Sequence, residues 1–434
     1  MKNPGLIIAA LVLAALLGLL YWSNRHQPTD GAPASATPAE PAANILTLNE
    51  ADINKIEVNK KGGDRLVITR DNNGKWQITS PKQMGVDEAA VSGMLSSIAS
   101  LSAERLVEEK ATNVDRYGLS EPVLEVIITD LNNTTHKLLL GDDTPTGSGA
   151  YVQLAGDSRV FTVASYTRTS IDKGLNDLRD KRLITANADK ITRLELVGKG
   201  QSIEFSRDKE QWQILKPRPL RADGTKVDEL VEKISGARMD VSDKDATTSA
   251  STFASGSAVA IARVTTDTGT EQLEVRKVKD DYYAKSSITD GVYKVTSDLG
   301  EALDKKLDDF RNKKLFDFYT PDKIEIHDGP KAYFLTKGGE DWWSAEGKKF
   351  DQSSAQALID KLRDLGATDF ADSGFGSAVL EIVVTSGEGK PLEKVLLSKG
   401  NKNILAKRAN EPAIYVLDAK AIEDLQKLLS ELKT

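Results

Sequence analysis

Cysteine is absent from all 434 residues. That excludes thiol catalysis, cysteine metal sites, disulfide crosslinks and a lipidated N-terminal cysteine. It leaves the compartment open, because a cysteine-free chain suits an oxidising envelope but also occurs elsewhere. Histidine is scarce: there are only His26, His136 and His327. No two have the helical spacing of a zinc pair, and there is no His-Glu-x-x-His, so they read as surface or strand histidines. The Gly-x-Ser-x-Gly elbow and the Gly-x-x-x-x-Gly-Lys-Ser/Thr phosphate loop are missing too. Ser170-x-x-Lys173 and Ser206-x-x-Lys209 copy a serine–lysine spacing, but the Ser-Asp-Asn and Lys-Thr-Gly elements that give it meaning are lacking. Asp142-Asp143 and Asp243-x-Asp245 are not continued by a calcium-loop ligand series, and they read as loop acidity. The sequence therefore predicts no catalytic, cofactor or metal residues.

A basic surplus is lacking as well. The net charge is −7. Lys2 and Arg25 cancel Asp30 and Glu40, so the excess lies in residues 45–434. An acidic body argues against nucleic acid as a partner, because phosphate binding needs a Lys/Arg surplus.

One long apolar run is present. Gly5 to Trp22 carries no charge. At about 1.5 Å per residue it nearly spans the ~30 Å hydrocarbon core of a bilayer. Tyr21 and Trp22 close it with aromatics that favour the lipid–water boundary. The alternative is a cleaved signal peptide, but the run is long for one, and the nearest small-x-small site, Ala34-Ser35-Ala36, lies well downstream. Residues 1–26 are read as a tail and retained transmembrane anchor, with the bilayer contacted through 5–22. Lys2 precedes the run and no basic cluster comes after it, which favours a cytoplasmic N-terminus and an outward C-terminal body. Residues 27–44 hold four prolines among Ala, Ser and Thr, and read as an extended spacer.

Beyond the spacer the chain repeats. Trp76-Gln77-Ile78 is followed by Pro81, and Trp212-Gln213-Ile214 by Pro217. Trp342-Trp343 is a weaker third copy. Each tryptophan comes after alternating strands, with Asn73-Gly74 as the clearest hairpin turn. Asp87, Asp223 and Asp351 are placed to cap helices, since a carboxylate can accept the free first-turn amides. Behind them Val91, Met94, Leu95 and Ile98, then Val227, Leu230, Val231 and Ile234, then Leu358, Ile359 and Leu362 recur at helical spacing. Four short strands and a closing helix complete each copy. The expected fold is α+β: a transmembrane helix, then three tandem units of mainly antiparallel sheet with one or two helices each, at 45–185, 186–317 and 318–434. Basic junctions, Arg179 to Leu183 and Arg311 to Leu315, separate the copies. They read as positive last turns facing the helix dipole and then solvent, in preference to anion sites.

The Trp-Gln-Ile-x-x-Pro strands, Tyr117-Gly118-Leu119-x-x-Pro122, Leu140-Gly141 before Tyr151-Val152, and Leu178-Arg-Asp-Lys-Arg-Leu183 carry a resemblance. The chain resembles the bacterial domain-of-unknown-function family 4340, best over 45–185 and least after 320. In the second copy the Tyr-Gly-Leu step is degraded to Ser251–Ser257, and in the third only Phe375-Gly376 remains. The family signature implies a fold and no established activity. Its association with gliding-motility-type ABC transport systems implies a role in a membrane complex.

The leading expectation is a non-enzymatic protein of the bacterial inner membrane, with its bulk on the periplasmic side. It would act as a scaffold or accessory subunit with a protein partner in the envelope, such as ABC transporter subunits. A glycan- or polymer-binding module is the alternative, with Tyr283 and Trp343 as ligand-stacking residues drawn from the aromatic pairs 282–283 and 342–343. A hydrolase with a spatially assembled carboxylate pair is the third, since separation in space and not in sequence decides that chemistry.

Overall fold

The computed structural model describes residues 43–63, 65–241, 247–387 and 392–434. The anchor run 5–22, nearly all of the spacer, His26 and Asp243-x-Asp245 lie outside the described residues. Among the described residues no helix is long and apolar enough to cross a membrane.

Alternation writes the sheets. In Leu124–Asp130, Leu124, Val126 and Ile128 are buried while Glu125, Ile127 and Thr129 face the other way. The opening strand Ile53–Lys60 places Ile56 opposite Ile128 on one side and Ile68 on the other. Apolar residues therefore meet across three strands on one face. That face is covered by the helix Glu88–Ala99, which buries Val91, Met94, Leu95 and Ile98, the predicted stripe. Each of these side chains adds roughly 1.5–3 kcal/mol when fully buried.

The chain divides into two compact units, Met1–Asp180 and Lys181–Thr434. The first holds one nine-stranded antiparallel sheet, and a two-stranded ladder of Asn44–Thr47 with Ser100–Ser102. The second holds two eight-stranded antiparallel sheets. All three large sheets share one order. The tryptophan hairpin lies to one side of the opening strand, and the four-strand meander lies to the other. The join is the pairing of the opening strand with the first meander strand: 53–60 with 124–130, 193–198 with 257–266, and 323–328 with 380–385. The fold is thus α+β and mainly antiparallel, as expected, and the repetition is real.

The three capping aspartates act alike. Asp87, Asp223 and Asp351 accept the amides of Ala90, Lys226 and Ser354 at 3.1, 3.2 and 2.9 Å. Each caps a twelve-residue helix: Glu88–Ala99, Gly224–Ser235 and Gln352–Arg363. Their own amides donate to Leu178, Phe310 and Lys433 carbonyls, each at 2.8 Å. Those carbonyls lie at the end of the closing helical segment or, for Lys433, just beyond it, so each copy is stitched shut at one point.

The tryptophans lock hairpins. Trp76 stands opposite Arg70 and Trp212 opposite Arg207, with guanidiniums 5.0 and 5.4 Å above the rings. Such cation–π contacts add about 0.5–1 kcal/mol at exposed sites. Trp212 Nε1 also donates to Asp228 on the capped helix at 2.7 Å. Both Ser80-Pro81 and Lys216-Pro217 are cis.

The Tyr-Gly-Leu step has a spatial reason. Gly118 has φ +69°, a conformation that suits glycine. A Cβ on Gly141 would collide with the Tyr117 carbonyl. The two motif glycines therefore let the step lie against the second meander strand. Tyr117 then stacks on Tyr151, with ring centroids 4.8 Å apart. In the second copy the helix Ala250–Ser255 replaces the step, and Phe253 packs on Tyr283 and Val292. Tyr283 holds the strand position of Tyr151.

Candidate functional site

The second unit carries a groove of 620 Å³ whose lining joins the second and third copies. Three elements form it. One is the tryptophan strand Gln211–Lys216 with its short partner Leu220–Arg221. Another is the junction after Phe310. The last is the turn at Asn410, Glu411 and Pro412 between strands Ile404–Arg408 and Ile414–Leu417.

The junction follows the expected solvated face only in part: Lys313 and Lys314 are exposed, but Arg311 is not. Asn312 donates its amide to the Arg221 carbonyl at 2.9 Å, and Leu315 donates to Leu365 at 3.0 Å. The segment is therefore a strap, bonded to the second copy at one end and to the third at the other. Arg311 is only 5% exposed. It pairs with Asp308 at 2.9 Å, and its guanidinium lies 3.3 Å from the Phe370 ring centroid. The strap pulls its first cation inward because the backbone ladder, and not the charge, sets the path. At the first junction, Asp180 donates to Gly85 at 3.0 Å, and Leu183 donates to Ala237 at 3.0 Å.

Beneath the groove lies a charge network. Arg221 pairs with Asp317, approaches Glu411 at 3.5 Å and donates to the Lys314 carbonyl at 2.7 Å. Arg408 contacts Glu411 at 2.7 Å, Asp317 at 3.2 Å and Glu393 at 3.6 Å, and donates to the Leu315 carbonyl at 2.7 Å. Tyr415 donates to Glu411 at 2.6 Å. Burial, reinforced by that bond, pushes the Tyr415 phenol up to about 12. Burial also pushes the Glu393 carboxyl above its ordinary value, against the downward pull of the Asp317 amide and Arg408.

Glu393 has a counterpart that explains it. It accepts the Asp317 amide at 2.6 Å. Glu271 in the second copy likewise accepts the Thr185 amide at 2.7 Å and the Ala186 amide at 3.3 Å. Both carboxylates clamp the chain just after a strap. Asp317 and Glu411 are held between the two guanidiniums. These acids order a loop and a turn. They are not a facing acid and base, so this cluster gives no support to carboxylate-pair hydrolysis.

The remaining predicted residues have definite places. Tyr283 is 7% exposed beneath Phe253, which encloses its ring and withdraws it from a ligand-stacking role. Its neighbour Tyr282 packs on Gly300, where a Cβ would collide with the ring. Trp342 is buried and Trp343 is 37% exposed, so this pair does split across the strand. Trp343 bridges Lys349 at the register where Gln213 meets Arg221. Asp143 pairs with Arg168, and Asp142 packs on Gly118. His327 meets the Phe334 ring edge-on at 6.0 Å. Among the described residues no three His, Asp or Glu side chains cluster as a metal site.

Gln213 and Asn312 belong to motifs that repetition alone singles out. Arg408, Asn410 and Glu411 carry no local signal, because what makes them a site is a partner, Arg221, far away in the chain.

No curated protein matches the chain. Among solved structures, a DNA polymerase sliding clamp from Pseudomonas aeruginosa with ligand is 10% identical. The alignment covers 86% of this chain and 93% of that one, at a TM-score of 0.14. A DNA polymerase III subunit beta from the same organism gives 10%, 86%, 92% and 0.14. Likenesses at such TM-scores carry no argument about fold or function. The family comparison is of a different kind: the model described as "Domain of unknown function (DUF4340)" matches residues 76–252 and again 212–381. Those two matches run from the first tryptophan strand to the start of the third meander and take in all three capped helices, and this chain belongs to that family.

Proposed function

We propose that this chain is a non-enzymatic scaffold or accessory subunit of an ABC-type transport complex in the bacterial envelope. In this reading residues 5–22 anchor it in the inner membrane. Three tandem units, 45–185, 186–317 and 318–434, stand on the periplasmic side beyond the 27–44 spacer. One observation carries the reading. A single buried core runs from Leu183 to Leu429 through both sheets of the second unit. Two sheets fixed in one body offer a partner a broad surface that needs little ordering on binding. The repeated polar features support the same reading, because caps, clamps and straps all serve to hold the copies in shape.

The test is affinity purification of the full chain from its own bacterial membranes after crosslinking. Recovery of a specific permease and ATPase, lost when residues 5–22 are replaced by a cleavable signal peptide, is the expected result. Recovery of the chain alone would count against the proposal.

A further inference from the structure

We infer that the groove between the second and third copies is a binding site for a neutral glycan strand. This is independent of the scaffold reading, and each stands or fails by its own experiment. The size fits first: 620 Å³ lies within the usual range for small-ligand sites.

The chemistry of the lining then narrows the ligand. The network below is made of two guanidiniums and three carboxylates, each tied to another. An incoming anion would face Asp317 and Glu411. An incoming cation would meet Glu210 at the rim, 3.8 Å from Arg207, and deeper in would have to displace Arg221 or Arg408 from partners already in place. The site is therefore poorly suited to an isolated charge of either sign. It is well suited to hydroxyl groups, each of which donates and accepts.

Four uncharged amides complete it: Gln211, Gln213, Asn312 and Asn410. Gln213 and Asn410 are exposed, and their side chains make no hydrogen bond among the described residues. Asn312 uses only its Oδ1, which accepts the Lys314 amide at 2.9 Å, so its NH₂ group is unused. Planar amides beside locked planar ions can grip adjacent hydroxyls with paired bonds. Pro219 and Pro412 add exposed apolar edges on the lining against which the C–H face of a sugar ring can rest.

The experiment is isothermal calorimetry on the full chain in a detergent without a sugar headgroup. The probes are chitotetraose, cellotetraose and maltotetraose, with tetralysine and inorganic phosphate as charged comparators. At least one neutral tetrasaccharide should bind. Gln213→Ala and Asn410→Ala should each weaken it about fivefold, the loss of one ordinary hydrogen bond. Lys402→Ala, an exposed change away from the groove, should leave binding intact. Both test positions are exposed, and an unchanged melting temperature checks that each variant is folded. The inference is overturned if no neutral probe binds at about 10 mM. It is equally overturned if both variants bind as the parent does, or if only tetralysine or phosphate binds.

Discussion

The first compact unit and the second are written in the same local code but close their interiors differently. In the first, one sheet and its helices enclose one core, Ile45 to Leu178, with a satellite under Tyr117. In the second, two sheets share one core from Leu183 to Leu429. The apolar pairs that open the copies differ as well. Ile45-Leu46 opens the first, Leu183-Ile184 the second, and Leu315-Phe316 the third. Only the third of these brings an aromatic, and Phe316 lies 5.7 Å from Phe318, both buried. Within the second unit the copies keep their caps and hairpins while their apolar residues form one core.

The largest expected effect breaks that merger. Phe316→Ala should cost about 3–5 kcal/mol, the usual loss for a buried aromatic. Hydrogen exchange should show protection falling in both sheets of the second unit and not in the sheet of the first. Arg311→Ala comes next, removing a buried cation from Asp308 and Phe370. About 2 kcal/mol should be lost, read as a lower urea midpoint for the second unit. A cap change should not distinguish the units at all. Asp87→Ala and Asp223→Ala should each cost about 1 kcal/mol in their own unit, and unequal losses would show that the shared code is not energetically shared.

The smallest effects concern two carboxylates of opposite behaviour within the second unit. Lys216, then Arg193, hold the Glu204 carboxyl below the ordinary value of 4.5 despite burial. Its stabilising contribution is present above that value and is lost as pH falls through the folded-state value. Glu393 is shifted upward, so the folded state holds its proton more tightly, and stability is gained as pH falls towards 4.5. Urea midpoints from neutral pH to about pH 4 should show Glu204→Gln losing stability chiefly at neutral pH. Glu393→Gln should be neutral or slightly stabilising there.

Much of this was legible in the sequence, and the limits have physical causes. Asn73-Gly74, the tryptophan strands and the capping aspartates are local devices, and each sits where its spacing put it. The helix stripes emerge as their spacing implies, because a period of 3.6 names its own buried face. One junction cation misled, because a backbone ladder to distant residues carried Arg311 inward while Lys313 and Lys314 stayed exposed. Tyr283 misled for a related reason: alternation says that one of two aromatics turns away from the core, but not that Phe253 then covers it. Trp343 did emerge on the exposed side. The groove was illegible, since Arg221 and Glu411 meet only in the folded chain.

The central claim is that the second and third copies form one cooperative body. Native-state hydrogen exchange on the full chain in rising urea tests it most directly. Amides of Arg193–Gly198 and of Lys323–Asp328, the opening strands of the two sheets, should open with the same free energy and the same urea dependence. Distinct free energies for those two strands, with one sheet opening while the other stays protected, would contradict it.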